Sequence, residues 1–417
     1  MSREVNWAGN FAYRATRVHR PASLDEVRAI VAKAPRIHAL GSRHSFNDIA
    51  DSVELVSLDA IDPTIEIDRE AMTVSVGSGI RYGTLAQALE RESLALHNMA
   101  SLPHISIAGA ISAATHGSGD RLGNLATAVS GIGLVTSNGD IVHARRGDDD
   151  FDGMVVGLGA LGVITRITLD IQPTYTVRQE VFEDLPWDTL FSHFDEIMSS
   201  AASVSLFTDW GETINTTWLK SRITSEFEEP LRADLMGALA ATRAHHPLAK
   251  MSAANCTDQL GVAGPWSDRL PHFRMDAVPA SGEEIQAEYM FARRHAVPVL
   301  QTLRDLAGQI RPLLLISEVR SVAADELWMS TAYGVDTACV HFSFKPDVDA
   351  VARFLPVLED ALAPFNVRPH WGKVFAATAR DLDPRYPRIA DFRSLVERLD
   401  SRGAFRGPFI EQRVFGA

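Results

Sequence analysis

The chain has 417 residues, 46% of them apolar and 22% charged, a globular composition long enough for two domains. A formal charge of −13 leaves no basic surplus to neutralise phosphates, which argues against nucleic acid as a partner. Two cysteines, Cys256 and Cys339, support neither a disulfide framework nor a zinc cluster, and no metal site is expected.

The N-terminal MSREVNWAGN has no apolar stretch and so no visible secretory signal. The longest aliphatic run, PLLLI at 312–316, is too short to cross a bilayer, so a soluble cytoplasmic protein away from membranes is expected. In RPASLDEVRAIV, Ser23 and Glu26 form a capping box, and Leu24, Val27, Ile30 and Val31 share one helical face. IHAL at 37–40 is a short strand that runs into GSRHSFND. A strand ending in glycine and small polar residues exposes several backbone N–H groups together, a nest for phosphate oxygens. His44 at its lip has two readings: a hydrogen-bonding bystander, or a group touching whatever carries the phosphate.

TIEID and MTVSV then alternate as strands, and RYGTLAQALERE follows as a helix with Leu85 and Leu89 paired. NMASLPHISIAGAISAATHGSG, 98–119, gathers Ser101, Ser106, Gly109, Thr115, His116 and further glycines into one small-residue ribbon. It reads either as a tight loop between core elements or as backbone lying flat against a ligand. Two such ribbons suit a long cofactor with a pyrophosphate and a flat ring. Asn138-Gly139 in LVTSNGDIVHA signals a hairpin, and the acidic run 148–150 a solvated turn. GLGALG at 157–162 has dinucleotide-fingerprint spacing, but VITRITLDI alternates at period two behind it. A strand follows where the fingerprint needs a helix, so a glycine turn is expected. GSGIRYG at 77–83 fails on spacing.

The main boundary falls near 175, after GVITRITLDIQP. Beyond it lie aromatic-rich strands and helices, with a loop-like stretch near 221–285 in which His245-His246 has no partners at metal spacing. In LLLISEVRSV, Glu318 and Arg320 are two apart and share a strand face, either as an ordinary ion pair or as a site. In CVHFSFKP, His341 and Ser343 alternate with Val340, Phe342 and Phe344, so a second strand offers a polar face. His370 and Lys373 come from RPHWGKVF.

GSRHSFND, NMASLPHIS, AATHGSG and GALGVITRITL resemble the FAD-binding half of the vanillyl-alcohol oxidase superfamily, and EVR, HFSF and RPHWGKVF extend the likeness into its substrate half. Within it the chain is most similar to bacterial alditol oxidases, which act on xylitol or sorbitol. The resemblance runs from NWAGN to AFRGPF and implies an α+β, two-domain FAD-binding fold with a mixed-sheet substrate domain. Residues 1–175 would bind FAD, 176–375 the substrate, and 376–417 return to the FAD-binding domain. It implies that FAD is bonded covalently to His44 through its 8α-methyl, with Gly41, Ser42, Arg43 and Ser45 around the pyrophosphate. Relatives often carry glycine at the position of Arg43. A second attachment through cysteine is not expected, since 98–119 holds none. Further cofactor contacts implied are Ser101, Ser106, Gly109, Ala113, Ala114, Thr115, His116, Ile164 and His370.

By the same resemblance, Ser101, Glu318, Arg320, Ser343 and Lys373 line a sugar-alcohol pocket. Alcohol oxidation needs hydride loss from carbon, which a flavin accepts, and proton loss from oxygen. Arg320 and Lys373 would stabilise alkoxide character, with Lys373 the better proton mediator because burial lowers a lysine pKa readily. O₂ would reoxidise the flavin to give hydrogen peroxide and an aldose, with small Ala100 leaving oxygen a path. The protein is expected to be a monomer taking a small polyol. Two rivals stand: a sugar-1,4-lactone oxidase or dehydrogenase of the same superfamily, and a flavin-storing protein without turnover.

Overall fold

The helix expected after Ser23 runs Leu24–Lys33 in the computed structural model, which describes residues 4–61, 63–223, 230–277 and 283–417. Ser23 Oγ accepts the Glu26 N–H at 3.3 Å, but the Glu26 carboxylate takes the N–H of Ala22 rather than that of Ser23. Only Val27 and Val31 of its apolar face are buried, while Leu24 is exposed.

Three short strands form a parallel sheet in the order Arg17–His19, Glu54–Val56, Ile37–Ala39. A second, antiparallel sheet orders Ile65–Asp68, Thr73–Gly77, Val163–Asp170, Val129–Val135 and Ile141–Arg145. Its last pair is the hairpin expected at Asn138-Gly139, with Gly139 at φ +83°. The GLGALG turn leads directly into Val163–Asp170, as the alternation required. Steric demand sets its glycines: at Gly159, φ +72°, an added Cβ would lie 2.3 Å from His38 Nε2. At Gly162, φ +150°, it would lie 2.5 Å from the Val135 carbonyl oxygen.

The larger sheet holds, among the described residues, ten strands. Its path runs Asp234–Leu235, Ala238–Ala240, Thr176–Pro186, Thr213–Ile223, Ser203–Thr208, Leu314–Val322, Thr337–Phe344, Ile285–Ala292 and Arg368–Pro369. Gly264–Pro265 pairs with Thr176–Pro186 off that path. The pairings between these strands are antiparallel, and an isolated parallel bridge, Gly119 to Val322, ties the sheet to the glycine-rich ribbon. Much of 241–277 is irregular, and its Leu248 and Phe273 pack on the cluster of Phe207, Trp218 and Ile316 from the sheet. The last stretch of chain packs on the first: the Ile37 N–H donates to Ala404 O at 2.8 Å, and Arg402 donates to carbonyls of Val31, Ala32, Ala34 and Ser137. One apolar core runs through both large sheets, from Val74 and Leu85 to Phe342 and Val414. Helices are interspersed among sheets whose pairings are mostly antiparallel, which is the α+β class expected. Among the described residues no helix is long and apolar enough to cross a membrane.

Candidate active site

The loop 41–48 is clamped on two sides. Asn6 and Asn10 donate side-chain N–H groups to Ser45 O and Phe46 O, both at 2.9 Å. Asn47 Nδ2 donates to Trp371 O at 2.8 Å and Lys373 O at 2.6 Å, which joins the loop to the turn that carries His370 and Lys373. Ser42 Oγ accepts the Ser106 N–H at 2.9 Å, so the two small-residue ribbons touch. A Cβ on Gly41 would sit 2.6 Å from Ser106 Oγ, so glycine lets the two ribbons meet without displacing that hydroxyl. Arg43 has φ +63°, the left-handed region, which explains why glycine suits this position. Its guanidinium lies 3.2 Å from Glu4. His44 stacks on Trp7, with centroids 5.4 Å apart and planes 19° from parallel. Burial pulls its pKa down to about 4, so the ring is neutral, and its buried Nδ1 has no hydrogen-bond partner among the described residues.

The opposite wall is a polar row set by strand register. Glu318 pairs with His341, and His341 pairs with Glu288 on the next strand. Two residues along, Ser343 faces Gln286. Arg320 Nη2 donates to Glu288 Oε1 at 2.6 Å, closer than its 3.6 Å approach to Glu318, so Glu288 is its main partner. The Arg320 charge holds the carboxyls of Glu288 and Glu318 far below the usual range despite burial, and they hold Arg320 above its own. His116 Nε2 and His341 Nδ1 stand 3.2 Å and 3.5 Å from Glu288 oxygens, yet neither is aligned for a hydrogen bond. Arg320 Nε is likewise buried without an acceptor. These groups hold one another through long ion-pair contacts and keep hydrogen-bonding capacity on the cleft wall, so the wall can receive polar atoms. Lys373 Nζ donates to Gln286 and lies 5.0 Å above the Phe46 ring. Burial lowers its pKa to about 8 against the pull of Glu288. His370 Nδ1 accepts the Gly372 N–H at 3.0 Å, and burial takes its pKa to about 3.

Nearly every residue expected at the site lines one cleft: Gly41, Ser42, Arg43, His44, Ser45, Ser101, Ser106, Gly109, Ala113, Thr115, His116, Ile164, Glu318, Arg320, Ser343, His370 and Lys373. Ala114 does not; it is fully buried at φ +52°, closing the helix Ile107–Ser112. Glu284, Gln286, Glu288 and His272 line the cleft without having been singled out from sequence. His246, set aside as a loop residue, also lines it and packs on Phe273 at 5.6 Å. Glu288 carried a readable signal, a lone acid in the apolar strand IQAEYMFA. His116, Glu288 and Cys339 bring ligand atoms within 4.8 Å of one another, but the Arg320 guanidinium bound to Glu288 is incompatible with a cation there.

An alditol oxidase from a Streptomyces species is 44% identical over 417 residues, covering 99% of each chain. The chain belongs to the alditol oxidase family. An L-gulono-1,4-lactone dehydrogenase from Mycobacterium tuberculosis is 27% identical, covering 99% of this chain and 98% of its own. Residues 15–145 match the FAD binding domain family, and 280–413 match the D-arabinono-1,4-lactone oxidase family. The fold is that of cholesterol oxidase from B. sterolicum, with a TM-score of 0.78 at 15% identity over 98% of this chain and 96% of the other. Like its family, the protein is an FAD-dependent oxidoreductase. The cleft fits FAD on its own terms: Gly109, where a Cβ would meet Ser106 Oγ at 2.9 Å, flattens one wall, and the orphan His44 Nδ1 stands in another.

Proposed function

We propose that the protein is an alditol oxidase, converting the terminal primary alcohol of xylitol or sorbitol to the aldose while O₂ becomes H₂O₂, as a cytoplasmic monomer. The observation that carries this is the row of paired, buried charges Glu288, Arg320 and Glu318, with half-buried Lys373 beside it, facing the same cleft as His44. Such a wall suits a chain of hydroxyls, each of which both donates and accepts. In this reading Gly41, Ser42, Arg43, Ser45, Ser106, Gly109, Ala113, Thr115, His116, Ile164 and His370 hold FAD, and His44 bonds it covalently. Ser101, Glu318, Arg320, Ser343 and Lys373 hold the polyol. FAD supplies the hydride acceptor when bound. Arg320 steadies the negative charge that develops on the reacting oxygen, and Lys373 takes its proton. Sheets that fall on either side of residue 175 support an FAD-binding domain over 1–175, a substrate domain over 176–375 and a C-terminal return over 376–417.

Oxygen uptake with peroxide detection across a substrate panel tests the reading. Xylitol and sorbitol should exceed glycerol, and glycerol should exceed simple monohydroxy alcohols, because each buried group left unpaired costs about 1–3 kcal/mol. Aldonolactones lack the extended terminal alcohol and should be poor. A second reading, a sugar-1,4-lactone oxidase or dehydrogenase, has the family match over 280–413 in its favour. Strong lactone turnover with idle alditols would select it, and activity with an artificial acceptor alone would make the protein a dehydrogenase.

A further inference from the structure

Lys220 is a buried charge that the chemistry above does not use. It projects from Thr213–Ile223 with 1% exposure, and its Nζ reaches three acceptors: Leu270 O at 2.5 Å, Pro271 O at 3.1 Å and His272 Nδ1 at 3.0 Å. On the far side of the same ring, Nε2 lies 2.9 Å from Glu318 Oε1. Donor and acceptor accounting fixes the tautomer. Ionised Glu318 only accepts, so Nε2 carries the proton that it gives to Glu318, and Nδ1 offers its lone pair to Lys220. Burial keeps the ring neutral, with a pKa of about 4, and lowers Lys220 to about 7. Phe207 and Trp218 press on the ring edge-to-face at 5.6 Å and 5.2 Å, so it has little room to turn over.

We infer that Lys220 and His272 are positioning residues that hold Glu318 as an oriented, ionised acceptor for a substrate hydroxyl. The inference rests on the alditol reading. His272 reaches Glu318 with an N–H, which leaves the second carboxylate oxygen to accept from the polyol. Lys220 acts one step further back, by denying His272 the opposite tautomer. Were Lys220 only a pin for the Leu270–Pro271 carbonyls, its loss would act independently of Glu318.

The test is a double-mutant cycle in the full-length FAD-loaded enzyme, using Lys220→Met and Glu318→Gln singly and together, with xylitol as substrate. Lys220→Met should raise KM about 10-fold with kcat little changed, the scale of a lost hydrogen bond to a charged group. In the Glu318→Gln background it should add almost nothing. His272→Leu should copy Lys220→Met, while His272→Gln, whose amide can give N–H to Glu318 and oxygen to Lys220, should recover most of the loss. If Lys220→Met does not fold, the two His272 variants carry the comparison. Additive effects in the cycle, or equal damage from His272→Gln and His272→Leu, overturn the inference. A wild-type enzyme that leaves every alditol untouched overturns the alditol reading and this inference with it, and is seen before any variant is made.

Discussion

Lys373→Ala should lower the rate of flavin reduction by xylitol by about 10²–10⁴-fold, the usual contribution of a placed general base, while flavin content stays at the wild-type level. Lys373 lies on the cleft wall, anchored by Gln286 and by the Phe46 ring. Burial brings its pKa from the ordinary lysine value to about 8. The amine is the form that accepts a proton, so the reduction rate should rise with pH, level off above about 8, and lose that inflection in Lys373→Ala. Arg320 cannot share this role, because Glu318 and Glu288 keep it charged throughout. Arg320→Ala should cost roughly 2–4 kcal/mol of transition-state stabilisation without a change in the pH inflection. It should also destabilise the fold by about 3–5 kcal/mol, since Glu288 and Glu318 lose their buried counter-ion. Stopped-flow reduction under anaerobic conditions separates these effects. Near-wild-type rates in both variants would put the reacting hydroxyl elsewhere.

Why some of this was legible in the sequence and some was not follows from distance along the chain. The His44 loop is contiguous, and its glycine, serines and histidine sit next to one another in sequence. The same holds for the strand after GLGALG, where alternation alone distinguished sheet from helix. Glu318 and Arg320 were legible as a pair because strand parity puts i and i+2 on one face. Their true arrangement was not. Arg320 prefers Glu288, which lies two strands away in the sheet, across Thr337–Phe344. Register between strands from distant segments is not written in either segment. Ile285–Ala292 alternates only over Gln286 and Glu288, and the rest of the strand is apolar and nearly all buried. His272 was hidden because the irregular stretch that carries it has no periodicity from which to place it, and Lys220, though on a strand, finds its partners only in that stretch. In sequence His246 is only a loop residue without metal partners, and no local signal shows that this loop folds back over the cleft.

Wild-type protein precipitated with acid should leave a yellow pellet, and a denaturing gel should fluoresce at the full-length band. His44→Ala should move all of the flavin into the supernatant, yet the folded variant should still bind FAD through the two small-residue ribbons. The reason lies in the ring itself. A nucleophilic nitrogen needs its lone pair, and burial holds His44 neutral at every pH above about 4. Its Nδ1 makes no well-aligned hydrogen bond to a described group, while the stack on Trp7 and the Asn6, Asn10 and Asn47 clamps fix the loop that carries it. An imidazole held this way has already lost the conformational freedom that bond formation would otherwise cost. Trp7→Ala, which loosens the ring without removing it, should slow attachment and leave a mixed population of bound and released flavin. Flavin found wholly in the wild-type supernatant would remove the covalent bond from this account and leave His44 as a packing residue beside a noncovalent cofactor.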